Sequence, residues 1–167
     1  MEIERKFLIR KLPEHLSHYE KKQLTQGYLN TAPVVRIRRE DDNYILTYKS
    51  SGLRSRIEEE MPLTKESFEH LLPKCDGTII DKTRYLIPIK DTALTIELDE
   101  FHKDFSGIYL AEVEFLSEEA ADAFVPPAWF SEEVTYDGQF HNSHMSRLTK
   151  EQCSALVARA ALTRFDD

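Results

Sequence analysis

Cysteine is almost absent from this chain. Cys75 and Cys153 are the only two in 167 residues, too few for a disulfide framework. No CxxC pair or Cys/His cluster occurs, which excludes the usual structural zinc sites. Glycine is scarce as well, with five residues, and none belongs to a P-loop or a dinucleotide fingerprint. No window approaches the roughly 18 apolar residues of a membrane helix. The acidic N-terminal segment has no apolar core of the kind a signal peptide carries. A reducing cytoplasm is therefore the expected compartment, with no membrane partner. Positive charge is also in deficit. Lys and Arg number 22 against 30 Asp and Glu, for a formal net charge of −8. That argues against a nucleic-acid partner, since such affinity rests on basic contacts to phosphate. A phosphate ligand in a locally basic pocket stays compatible with it.

What is present is alternation. The length suits one domain, 1–167, with its own core. Period-two patterning and turn residues predict eight strands, at 1–10, 23–31, 34–40, 43–50, 55–62, 78–89, 92–101 and 109–116. Short connections such as Asp41-Asp42-Asn43 and Lys90-Asp91 favour antiparallel hairpins. Helices are predicted over 64–72 behind Thr64, over 117–125 behind Ser117, and over 149–165.

One parity of these strands is almost purely ionisable. It carries Glu2, Glu4 and Lys6; Arg36, Arg38 and Glu40; Lys49; Arg56, Glu58 and Glu60; Lys82 and Arg84; Glu97 and Asp99; and Glu112 and Glu114. The opposite parity is mainly apolar, with Ile3, Phe7 and Ile9, or Ala111, Val113 and Phe115. A solvated sheet face would account for any single strand. Over the whole set, like charges repeat about 7 Å apart along each strand and repel. Strands that surround a ligand carrying both signs would relieve this. An eight-stranded barrel leaves room for side chains and one small ligand. The expected fold is thus α+β, mainly β: a closed antiparallel tunnel with a charged lumen, an apolar exterior and helices packed outside. Buried charges must be paired or bind ions. A polyanion bridged by divalent metal would satisfy both signs.

The ordered series resembles the CYTH superfamily, the triphosphate tunnel metalloenzymes. It runs through Glu2-x-Glu4-x-Lys6, Gln26-Gly27-Tyr28-Leu29, Arg36-x-Arg38, Thr47-x-Lys49-Ser50, Arg56-x-Glu58-x-Glu60, Lys82-x-Arg84-Tyr85, Glu97-x-Asp99-x-Phe101, Ala111-Glu112-Val113-Glu114-Phe115 and Trp129-Phe130-x-x-Glu133-Val134-Thr135. Glu-x-Glu-x-Lys alone arises by chance; the series is far more specific. The resemblance implies hydrolysis of a linear triphosphate with Mg²⁺ or Mn²⁺, with inorganic tripolyphosphate favoured. Thiamine or nucleoside triphosphatase and class IV adenylate cyclase are alternatives, and a non-catalytic polyphosphate-binding barrel ranks last.

The resemblance also distributes roles. Glu2, Glu4 and Glu114 become metal ligands, with Glu114 across the barrel from the other two. Hard oxygen donors suit these ions. Arg36, Arg38, Lys49, Arg56, Lys82 and Arg84 become the phosphate clamp. Glu58 and Glu60 are candidates for a second metal or for holding the attacking water. Lys6 is a phosphate or water positioner first and a base second. Tyr28 is a tunnel donor or a core residue. Glu97, Asp99 and Glu112 orient the basic groups. Where similar proteins often carry a basic residue and Tyr, this chain has Gly138-Gln139-Phe140, so its C-terminal segment is left out of the ligand contacts. The six histidines form no ligand set. The protein would act as a monomer or homodimer on a small-molecule triphosphate.

Overall fold

The computed structural model describes residues 1–162. Ten strand segments form one antiparallel sheet. They are β1 (Glu2–Ile9), β2 (Glu20–Thr31), β3 (Val34–Glu40), β4 (Asn43–Lys49), β5 (Ser55–Arg56), β6 (Glu58–Pro62), β7 (Asp76–Pro88), β8 (Thr95–Phe101), β9 (Tyr109–Glu114) and β10 (Phe130–Glu133). The helices are α1 (Lys65–Leu71), α2 (Glu118–Ala123), α3 (Asn142–Met145) and α4 (Lys150–Ala161).

Neighbouring strands follow the order β10-β1-β9-β8-β7-β2-β3-β4-β6. Closure comes from the segment that contains β5 and β6. Glu58 to Pro62 pair with β4, while Ser55 and Arg56 pair with Ile3 and Glu2 of β1. The expected strand 55–62 is thus one stave broken at Ile57, because each half follows a different neighbour. β10 is an addition to the expected eight. It lies along β1 beyond the reach of β5, pairing at Phe7 and Ile9. Its run Phe-Ser-Glu-Glu shows too little alternation to be read as a strand. The other predicted strands agree to within a few residues at their ends. Residues 163–165 of the predicted last helix lie outside the described residues.

Local chemistry fixes the helices. The Thr64 hydroxyl accepts from Ser67 N–H at 3.0 Å to start α1, and Ser117 caps α2 through Ala120 N–H. Thr149 and Gln152 form a reciprocal capping box on α4. One glycine is imposed by packing. A Cβ on Gly27 would stand 2.8 Å from Cys75 Sγ and from Ile79 Cδ1.

Two apolar cores hold the barrel. One covers the outer face of β1, β7, β8 and β9 with Ile3, Phe7, Ile9, Ile87, Ile96, Leu98, Val113 and Phe115, closed by α2 and β10 through Ala121 and Phe130. The other fills part of the interior. Leu8, Tyr28, Ile80, Phe101 and Leu110 meet Phe140 and Met145 there, backed by Cys153, Leu156 and Ala160 of α4. The C-terminal segment therefore packs against the barrel's inward-facing residues. Phe7 is 2% exposed, and its ring packs against that of Phe130, tilted, with centroids 4.9 Å apart. Phe7→Ala should lower the unfolding free energy by about 3–5 kcal/mol, measured by urea denaturation; a loss below about 1 kcal/mol would contradict this packing.

Candidate active site

The pleat sends alternate residues of each strand into the bore. They surround a cavity of about 550 Å³. Glu2, Glu4, Lys6, Tyr28, Arg36, Arg38, Lys49, Arg56, Glu58, Glu60, Arg84, Glu97, Glu112 and Glu114 all line it. Two candidates do not. Lys82 and Asp99 are buried behind the wall and paired at 2.8 Å. Glu114 is exposed at the rim. It is not across the barrel from Glu4. The chain returns through β9 beside β1, so Glu114 and Glu4 are direct cross-strand partners.

Most of the basic groups have carboxylates. Lys49 Nζ lies 3.1 Å from both oxygens of Glu2, and Arg56 Nε donates to Glu2 at 3.2 Å. Arg84 makes two bonds to Asp99, at 2.7 and 2.8 Å, and reaches Glu97 at 2.6 Å. Lys6 Nζ is 3.3 Å from Glu112. Arg36 and Arg38 differ. They are 5% and 8% exposed, and among the described residues neither makes an ion pair. Arg36 donates only to the Thr47 hydroxyl, at 3.3 Å, and its buried Nε has no partner. Arg38 donates to the Gln26 side-chain oxygen at 3.0 Å. A buried guanidinium without a counter-ion is costly. Burial and the neighbouring charges of Arg36 and Arg84 push Arg38 down to about 9, so it stays charged at neutral pH.

The carboxylates show the opposite tension. Eight acidic and six basic side chains line the cavity. Burial and repulsion from Glu112 raise Glu4 to about 8. Burial, and the hydrogen bond with Glu2, raise Glu58 to about 8. Burial also penalises Glu2, but the bond from Glu58 and the charge of Lys49 outweigh it and bring Glu2 to about 2. The opposite shifts favour a proton on Glu58 over one on Glu2. Burial and the charge of Glu2 raise Glu114 too. Burial works against Lys6, yet Glu112 and Glu4 hold its ammonium above the usual lysine range. Deep burial takes Lys82 down to about 7 against the pull of Asp99.

A hard divalent ion fits this donor chemistry. Glu4 and Glu114 stand side by side, Glu4 with a long 3.9 Å contact to Arg56, and carboxylate oxygens are the donors such ions prefer. Among the described residues, no three His, Cys, Asp or Glu side chains are gathered at metal-ligand spacing. Glu2 is held by Lys49 and Arg56, and must turn from them to join a metal.

The C-terminal segment supplies what the sequence reading omitted. His141, Asn142 and Ser143 line the cavity. Asn142 Oδ1 accepts from Lys82 Nζ at 3.2 Å, and Phe140 O accepts from Lys6 Nζ at 3.2 Å. Burial and the charge of Lys6 push His141 down to about 4, so it is neutral. Glu40, on the charged face with Arg36 and Arg38, also lines the wall.

An antiparallel barrel whose bore holds unpaired arginines opposite crowded carboxylates defines a narrow class. The CYTH domain model matches residues 1–133. The chain belongs to the CYTH family. It is 43% identical over 148 residues to an inorganic triphosphatase of Nitrosomonas europaea, covering 87% of this chain and 96% of that protein. It is 35% identical over 127 residues to an inorganic triphosphatase of Acetivibrio thermocellus, covering 72% and 77%. A solved inorganic triphosphatase structure superposes with a TM-score of 0.68 and 39% identity, over 89% of this chain and 96% of the other. A conserved hypothetical protein of Pyrococcus furiosus shares the fold at a TM-score of 0.55 and 19% identity, over 74% and 83%.

The raised carboxyls bear on stability without metal. An acid whose pKa rises on folding holds a proton that the unfolded chain releases. For Glu4 this lowers stability as pH rises from about 4.5 towards 8. His141 and Lys82, both depressed, work the other way below about 6.5 and above about 7, so the comparison is best made between variants. In chelator, Glu4→Gln should raise the thermal midpoint at about pH 8 and change it little at about pH 5. A midpoint that fails to rise at the higher pH would contradict the assigned repulsion.

Proposed function

We propose that this protein hydrolyses a linear inorganic triphosphate to pyrophosphate and phosphate, with Mg²⁺ or Mn²⁺. The observation that carries this reading is the pair of buried arginines without counter-ions, Arg36 and Arg38, in a cavity otherwise crowded with carboxylates. The sequence relatives named as inorganic triphosphatases support the substrate. Triphosphatases of this family are metal-dependent; the choice of ion follows from the carboxylate donors.

In this reading Arg36 and Arg38 grip the polyanion first, since no carboxylate among the described residues pairs with them. Arg84, Lys49 and Arg56 extend the clamp, each with a carboxylate to fall back on when the cavity is empty. Guanidinium forks offer parallel N–H donors to phosphate oxygens, and their charge also stabilises the transferring phosphoryl group. Lys82 supports from behind through Asp99 and Asn142. Glu4, Glu114 and a reoriented Glu2 would hold the metal. When bound, a divalent ion neutralises phosphate charge and acidifies coordinated water. Lys6, whose ammonium is stabilised by Glu112 and Glu4, orients phosphate or water first and serves as a base second. Glu58 and Glu60 border the same space, with a proton favoured on Glu58 over Glu2. Glu97, Asp99 and Glu112 hold Arg84, Lys82 and Lys6 in place. Tyr28 belongs to the apolar plug as well as to the wall.

A cyclase reading is less favoured. Adenine needs a stacking or apolar recess, and of the Phe, Tyr and Trp side chains among the described residues Tyr28 alone lines the cavity. Among the described residues no helix is long and apolar enough to cross a membrane. We place the enzyme in the cytoplasm, as a monomer or homodimer.

Phosphate release should be followed for tripolyphosphate, thiamine triphosphate, ATP and pyrophosphate with each ion. We expect tripolyphosphate to be fastest, and no turnover in chelator. Glu4→Gln should lose at least about 100-fold in kcat while folding normally. Absence of turnover on every triphosphate would refute the assignment, and full activity of Glu4→Gln would refute its place at the metal.

A further inference from the structure

One edge of β1 changes partner part-way along. Glu2 and Ile3 pair with β5, and Glu4 N–H reaches Arg54 O at 3.2 Å. Phe7 and Ile9 pair with β10. Lys6 lies at the changeover. Its carbonyl accepts from Val134 N–H at 2.8 Å, but its own N–H meets a side chain. The Thr135 hydroxyl oxygen accepts that bond at 3.0 Å.

Thr135 is 2% exposed and does not line the cavity. Its hydroxyl donates to Glu133 Oε2 at 2.6 Å. Glu133 is gripped in turn by Arg5, at 2.7 and 3.0 Å. Arg5 also donates to the carbonyls of Ala121 and Phe124, at 2.9 and 3.1 Å, at the end of α2. The hydroxyl is therefore fixed from outside the barrel. The chain then turns and comes back. Phe140 O accepts from the Lys6 ammonium at 3.2 Å, and His141 Nε2 lies 3.3 Å from Thr135 O. Residues 134–141 hold Lys6 both by its backbone and by the tip of its side chain.

We propose that Thr135 is a positioning residue: through the Lys6 amide it sets the height at which the Lys6 ammonium meets the triphosphate. This role rests on the proposed function. It acts through Lys6 and touches neither substrate nor reacting atoms. Misplacing Lys6 should therefore slow turnover more than it weakens binding.

The test is a double-mutant cycle with Thr135→Val, Lys6→Met and both together, assayed on tripolyphosphate at saturating Mg²⁺ or Mn²⁺. Thr135→Val keeps the shape and removes the hydroxyl. It should lower kcat by roughly 10- to 100-fold, with KM moving less than about threefold. Thr135→Ser should recover activity to within about threefold, because it restores the hydroxyl. In the Lys6→Met background, Thr135→Val should cost nothing further. Should Thr135→Val fail to fold, Glu133→Ala enters the same cycle, since it removes the acceptor that anchors the hydroxyl; the same non-additivity is expected. Equal losses in both backgrounds, or an undiminished Thr135→Val enzyme, would overturn this role alone. An inactive wild-type protein would overturn the functional reading and this role with it.

Discussion

Arg36 and Arg38 are buried cations that, among the described residues, have no carboxylate to answer them. That is the condition on which the rest of the site depends. A lone buried charge is tolerated only where something neutralises or solvates it. The Thr47 and Gln26 oxygens satisfy part of their hydrogen bonding, but neither supplies charge. Every other basic group in or behind the wall is matched. Lys49 and Arg56 share Glu2, Arg84 and Lys82 share Asp99, and Lys6 has Glu112. The arrangement leaves one place open to an anion. Around Glu4 and Glu114 it leaves another open to a cation.

Such an interior contributes little net stability, because desolvating ions offsets their mutual attraction. The fold is held from elsewhere. The jacket around Phe7, Leu98 and Phe130 packs the outside of the barrel, and the plug around Phe101, Phe140 and Leu156 packs one part of its inside. This division explains the inverted pattern of the strands. The polar parity faces a confined bore, and the apolar parity faces the helices and β10. It also gives the C-terminal segment two tasks. Phe140 and Met145 fill the plug, while Phe140 O and Asn142 hold lysines at its edge.

Much of this was legible in the residues. Strict alternation revealed the strands, and the purity of one charged face, together with its pairs of like charges, revealed a bore instead of a solvated surface. That face named most of the cavity wall. What was missed lay where alternation fails or where distance in sequence hides proximity. β10 has two adjacent glutamates. The break at Ile57 arises only because β5 and β6 follow different neighbours. Lys82 has the right parity, but Asp99 and Asn142 lie over it, which parity cannot reveal. The resemblance put Glu114 across the barrel from Glu2 and Glu4, whereas β9 returns beside β1 and makes Glu114 the direct cross-strand partner of Glu4. His141 and Asn142 reach the cavity from a turn and a four-residue helix, elements without a periodic signature.

The most direct test of the account is a crystal structure with tripolyphosphate and Mn²⁺, read by anomalous scattering. The account predicts phosphate oxygens bonded to Arg36 and Arg38 inside the barrel, and a manganese peak at Glu4 and Glu114. Phosphate bound elsewhere with both arginines still unpaired, or manganese bound away from these carboxylates, would contradict it.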